Sequence, residues 1–121
     1  MSRQKIRVLI SDKISSSALK VFSENGIEVD FDPELGKNVD ELAKKISKYH
    51  GLVIRSTTEV THGLIENATK LKVIGRAGIG IDNVNLAAAS SKGVVVMNTP
   101  LGNSITTAEH TIAMILSVAR K

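Results

Sequence analysis

Apolar residues in this chain fall into short continuous runs, separated by segments where they recur every third or fourth position. The runs IRVLI (6–10), IEVDF (27–31), GLVI (51–54), KVIG (72–75) and GVVVM (93–97) predict five strands. They are brief, rich in β-branched residues and bounded by glycine or polar residues. Near-continuous apolar character suits strands covered on both faces. The intervening segments predict helices. Ile14, Ala18, Leu19 and Phe22 share one helical face, with serines at the start and Gly26 after the end. Asn38 with Glu41 three residues on reads as a helix cap, followed by the stripe Leu42, Ala43 and Ile46. Leu64, Ile65 and Ala68 face inward from a helix over 61–68, and a fourth helix spans 84–91 and stops before Gly93. A fifth starts at Asn103 or Ser104 and runs to the last residue, with Ala108, Ile112, Ile115, Leu116 and Ala119 in one stripe.

Five strand–helix units in succession predict an α/β fold, a doubly wound parallel five-stranded sheet with helices on both faces. The expected strand order is the flavodoxin-like 2-1-3-4-5. The segment NTPLGNS (98–104), with Pro100 and Gly102, reads as a linker rather than a tight turn. Residues 1–98 then form the sheet domain, and 99–121 form a linker and a crossing helix. An apolar stripe beyond a completed sheet requires a neighbour. Another copy of the chain, docked or swapped through that helix, is one way to provide it.

Bulk properties narrow the function. The length of 121 residues fits one small domain, and 42% apolar content is enough for a core. Aromatics are only 2%, which argues against base-stacking nucleic-acid platforms and aromatic flavin sandwiches. Sixteen basic against twelve acidic residues give a net charge of +4, scattered without the stripe that nucleic acid requires. There is no cysteine, hence no disulfide, thiolate metal site or cysteine nucleophile, in keeping with a cytoplasmic protein. No long apolar run marks a signal peptide or a membrane span. His50, His62 and His110 lack metal-ligand spacing, so no metal is expected. Glu109, three residues after Thr106, reads as part of a capping box rather than as a catalytic partner of His110.

In open parallel sheets ligands bind beyond the carboxyl ends of the strands. The residues there are Ser11, Asp12 and Lys13; Asp32 and Pro33; Arg55 and Ser56; Arg76, Ala77 and Gly78; and Asn98, Thr99 and Pro100. Strands three and four are expected to be neighbours, which brings Arg55 and Arg76 together. Two adjacent guanidiniums repel unless an anion or a carboxylate joins them, and each offers a planar fork for carboxylate or phosphate. Gly78 and Gly80 allow backbone N–H groups to approach such a ligand. Alternatively, each arginine is a surface cation paired with Glu59 or Asp82. The stretch GRAGIGIDN (75–83) has the order G-x-x-G-x-G, not the dinucleotide fingerprint G-x-G-x-x-G, so a small anion is expected here. Asp12 does not make a phosphoacceptor site, because Arg55 stands where a further carboxylate would be needed.

The segments VLISDKIS (8–15), GLVIRSTTEVT (51–61) and the run from Leu71 to Arg120 resemble the D-isomer-specific 2-hydroxyacid dehydrogenases. The resemblance spans nearly the whole chain from about residue 6. It implies a longer two-domain enzyme, one domain for substrate and one for NAD, transferring hydride between a small phosphorylated 2-hydroxy acid and NAD. The RST and RAGIG segments point to 3-phospho-D-glycerate, oxidised to 3-phosphooxypyruvate in serine biosynthesis, rather than to lactate or glyoxylate. By the same resemblance Arg55, Ser56, Arg76, Ala77, Gly78 and Asn103 contact substrate, and Ile79 lies near the nicotinamide. The family's catalytic arginine, glutamate and histidine belong to the later domain, as does the nucleotide fingerprint. The chain alone is therefore expected to be inactive and to bind no NAD by itself, with the missing NAD-binding domain as its partner. The alternative is a stand-alone self-associating or regulatory module that has lost the chemistry.

Overall fold

The computed structural model describes residues 4–102 and 104–120. Strands β1 (Arg7–Ile10), β2 (Glu28–Phe31), β3 (Gly51–Ile54), β4 (Val73–Arg76) and β5 (Val95–Met97) form one parallel sheet in the order β2-β1-β3-β4-β5. That is the predicted order. The helices are α1 (Ser16–Glu24), α2 (Val39–Lys45), α3 (His62–Asn67), α4 (Leu86–Ser91) and α5 (Ser104–Ala119).

Local chemistry sets these boundaries. Ser15, Asn38, Thr61 and Asn85 each accept a hydrogen bond from a backbone N–H three residues on, at 3.0–3.4 Å, and so start α1 to α4. Glu41 does not close a reciprocal box; its carboxylate pairs with Lys44 instead, at 3.5 Å. Gly26 (φ 70°) and Gly93 (φ 69°) supply the left-handed conformation that ends α1 and α4. This explains why β5 is shorter than the apolar run 93–97: Gly93 turns the chain, and Val94 N–H still bonds back to Ala89 O at 2.8 Å. Val84 is also not helical. It bridges to Val60, and α4 starts only after Asn85. Thr106 lies inside α5, past its first residue Ser104, so the expected capping box at Thr106 and Glu109 does not form.

Side chains alternate across a strand. Leu9, Leu52, Ile54 and Ile74 face α2, α3 and α4 and build the core with Leu42, Ile46, Leu64, Ile65, Ala88 and Ala89. On the opposite face Val8 and Ile10 are buried on the side where α1 lies. In register beyond them come Val53, Gly75 and Met97, and Gly51, Val73 and Val95. Val95 and Met97 are 58% and 55% exposed. The expectation of strands covered on both faces therefore fails over β4 and β5. The helix that would complete that face in this topology is α5, and it does not lie there. Ile105, Ile112, Ile115 and Leu116 on α5 are all exposed.

Candidate functional site

The carboxyl ends of β3 and β4 open into a cleft of about 620 Å³, walled on one side by Ile14, Ala18 and Phe22. Its lining includes Arg55, Ser56, Arg76, Ala77, Gly78 and Ile79, so six of the seven site residues read from the sequence meet there. Asn103 lies outside the described residues.

Register explains the convergence. Arg76 ends β4 and pairs with Ile54, the last residue of β3, so Arg55 begins the adjacent loop. The Arg76 side chain is only 12% exposed, folded beneath the glycine loop. A Cβ on Gly80 would stand 2.8 Å from Arg76 Nη1, so a side chain there would displace the guanidinium from its present position. Arg76 Nη1 lies 3.5 Å from Asp82 Oδ1, a long contact to a carboxylate that is 94% exposed, and Arg76 Nε is buried without an acceptor among the described residues. The pairing with Asp82 considered from the sequence thus exists but leaves Arg76 incompletely satisfied. Arg55 makes no ion pair among the described residues, and its Nη1 donates to Lys13 O at 3.3 Å. The N–H groups of Ile79 and Gly80 likewise have no acceptor among the described residues. Gly78 O accepts Thr99 N–H at 2.9 Å and Thr99 Oγ1–H at 3.3 Å, and Asn98 Nδ2 donates to Ile79 O at 2.8 Å. Cationic side chains and free backbone donors therefore share one pocket, the arrangement that receives an oxyanion.

The loop carrying Arg55 and Ser56 rests on residues the sequence reading did not assign to the site. Asp12 Oδ2 accepts the N–H groups of Arg55 (2.7 Å) and Thr58 (3.0 Å), and its Oδ1 accepts Thr58 Oγ1–H (2.8 Å). Asn83 Nδ2 donates to Arg55 O and Thr58 O, both at 2.7 Å. Ser11 Oγ lies 2.7 Å from Thr58 Oγ1. Gly36 closes over this network, and a Cβ there would collide with Thr58 Oγ1 and Asp12 Oδ1. A pair of polar residues directly after the apolar run Val8–Ile10, as Ser11 and Asp12 are, is the one sequence signal that pointed this way. Such a group enters the core only if it is hydrogen-bonded.

A second polar cluster lies on the α2 side of β1 and β2. Arg7 Nη2 contacts Asp30 Oδ2 at 2.8 Å, Tyr49 OH donates to the same oxygen at 2.5 Å, and the Arg7 guanidinium sits 4.9 Å from the Tyr49 ring centre. The Tyr49 hydrogen bond, aided by Arg7, holds the Asp30 carboxyl below its ordinary value. Burial and the bond to Asp30 push the Tyr49 phenol up to about 12. This cluster faces away from the cleft and fastens the edge of the sheet. Among the described residues no group of three His, Asp or Glu could hold a metal, and no helix is long and apolar enough to cross a membrane.

The glycine turn does not fit a dinucleotide. Gly75 lies within β4 and only Gly78 and Gly80 follow it, and the next helix starts only at Leu86, so no helix N-terminus stands behind the turn to receive a pyrophosphate.

Fold and site together define a doubly wound α/β domain with a cationic cleft at the carboxyl ends of its strands. Residues 8–117 match the D-isomer specific 2-hydroxyacid dehydrogenase catalytic domain. The chain belongs to that family. It is 44% identical over 116 residues to D-3-phosphoglycerate dehydrogenase of Archaeoglobus fulgidus, covering 96% of this chain and 22% of that protein. It is 45% identical over 115 residues to the human D-3-phosphoglycerate dehydrogenase, covering 95% and 21%. The chain thus spans about a fifth of the length of these relatives. Among solved structures, a protein from Thermus thermophilus superposes with a TM-score of 0.85 at 33% identity, covering 95% of this chain and 37% of that one. The NAD-bound 3-phosphoglycerate dehydrogenase of Entamoeba histolytica superposes with a TM-score of 0.80 at 28% identity, covering 93% and 38%.

Proposed function

We propose that this chain is the substrate-binding portion of a D-3-phosphoglycerate dehydrogenase, which oxidises 3-phospho-D-glycerate to 3-phosphooxypyruvate with NAD. The observation that carries the reading is the meeting of Arg55 and Arg76, neither fully satisfied by a carboxylate, in one cleft with the free N–H groups of Ile79 and Gly80. The two guanidiniums hold phosphate and carboxylate, Ser56 adds a hydroxyl, and the cleft orients the 2-hydroxyl carbon toward Ile79. NAD supplies the hydride acceptor and is held by the nucleotide domain of the longer enzyme. Residues 1–98 are the substrate domain, and 99–121, including Asn103, are the linker and the first helix of the nucleotide domain. This chain binds and orients substrate. With no dinucleotide turn of its own and no assigned base, it does not turn over alone.

Titration of the ¹⁵N-labelled chain with 3-phosphoglycerate tests this. The amides of Ser56 and residues 76–80 should shift together and saturate. Arg76→Ala should weaken binding about 10- to 100-fold, the worth of a charge-assisted hydrogen bond. Absence of any shift at millimolar ligand, or unchanged affinity in Arg76→Ala, would count against the assignment.

The exposed aliphatic residues of α5 favour a second reading, self-association through that helix. Sedimentation at high concentration decides it, a clean monomer removing the case.

A further inference from the structure

We propose that Asp12 and Asn83 are positioning residues of the anion site. They fix the Arg55–Thr58 loop at both ends and set its spacing from the loop that carries Arg76. The inference rests on the substrate reading above for its functional meaning, but its geometry stands separately.

Ser11, Asp12, Thr58 and Asn83 are the buried polar residues among the described ones, and all of them belong to this single network. Burying a carboxylate is expensive unless each lone pair finds a donor. Here that burial is concentrated under one loop. At Arg55 and at Thr58 the N–H goes to Asp12 and the C=O receives Asn83. Four backbone groups are thereby fixed, and Ser56 and Thr57 form the crest between them. Asn83 belongs to the turn that begins with Arg76, and its own C=O accepts Val60 N–H at 2.8 Å. One side-chain amide therefore bridges the two arginine-bearing segments.

Asp12 acts here through its geometry, not its charge. An asparagine can place its oxygen where Oδ2 stands and keep both backbone bonds. Its Nδ2 can then donate to Thr58 Oγ1, whose proton turns toward Ser11 Oγ. An alanine can do neither.

The experiment compares the whole ¹⁵N-labelled chain with its Asp12→Ala, Asp12→Asn and Asn83→Ala variants. Two readouts are taken: the heteronuclear NOE of residues 55–57 without ligand, and the affinity for 3-phosphoglycerate. Asp12→Ala should loosen 55–57 and weaken binding about tenfold, while the amides of the β-strands stay in place. Asp12→Asn should restore both readouts. Asn83→Ala should loosen 55–57 and 78–82 together, whereas Asp12→Ala spares the second loop. A rigid loop and full affinity in Asp12→Ala would overturn the proposal, as would Asp12→Asn failing as badly as Asp12→Ala. Should Asp12→Ala not fold, Asn83→Ala carries the test, since it removes the bonds to the carbonyls of Arg55 and Thr58, and an unmoved 55–57 loop in Asn83→Ala overturns it equally. If the wild-type chain shows no binding at millimolar ligand, the substrate reading fails, and the NOE comparison still decides the clamp.

Discussion

On the face that carries α2, α3 and α4, Leu52, Ile54 and Ile74 are fully buried against partners such as Leu42 and Ile46. On the other, α1 buries none of its own residues completely, and Val95 and Met97 stand more than half exposed. The strands are the same, and by register the open side carries more of their apolar residues than the closed side, which also holds Arg7, Glu28, Asp30 and Arg76. What decides burial is the number of helices laid on them. Apolar strand residues contribute to stability only where something covers them, so the free energy of this domain is concentrated on one side.

The sharpest way to break that comparison is to cut into the closed face. Leu52→Ala should cost about 2–5 kcal/mol, enough to leave much of the chain unfolded, as a urea titration would register. A native-like transition midpoint would mean that the closed side is not where stability resides. Next is Gly36→Ala, which forces a methyl into Thr58 and Asp12 beside the core residue Leu35. We expect a loss of about 1–3 kcal/mol, seen as a lowered melting temperature. Tyr49→Phe, at the rim of the closed side, should lose about 1 kcal/mol with its hydrogen bond. Its pH dependence gives a separate check. Tyr49 is raised above its ordinary value of 10.0, so its contribution is complete below that pH and vanishes as pH climbs through about 12. The wild-type chain should show that alkaline loss and Tyr49→Phe should lack it. The same change should shrink the acid-side loss as well. Asp30, held low chiefly by Tyr49, contributes above its ordinary value of 3.8 and loses that contribution as pH falls below it. Smallest of all should be Met97→Ala on the open face, within about 0.5 kcal/mol of wild type. A large effect of Met97→Ala in the isolated chain would show that something covers the open face in solution.

Much of this architecture could be read before any coordinates. Strand order followed from the spacing of five β-branched runs. The meeting of Arg55 and Arg76 in one cleft followed from asking what stands after each strand, because neighbouring parallel strands end side by side. The supporting network was not legible. Its bonds join residues 43, 46 and 25 positions apart, and no local pattern encodes such a pairing. Asp12 was visible as a carboxylate at a strand end, but without neighbouring acids it read as nothing. It proved to be a receiver of backbone N–H groups. The open face was hidden for a different reason. Runs such as VVVM look alike whether a helix covers one side or two, since periodicity reports that a strand is apolar and not what lies on it. Gly93 shows a third limit: a glycine flanked by a helical stripe and a β-branched run can belong to either, and the helix took it.

Thr99 grips the carbonyl of Gly78 with both its N–H and its hydroxyl, while Asn98 holds the carbonyl of Ile79. The root of α5 and the glycine turn therefore share their conformational entropy. If the proposed anion binds and stills the turn, the freedom lost by Gly78 should be lost by the linker too, and the direction in which α5 leaves the sheet should become narrower without any new contact at α5 itself. Heteronuclear NOEs of residues 104–110, compared with and without ligand, should rise together with those of residues 78–80. Unchanged values at the helix, with the turn ordered, would show that the two are uncoupled.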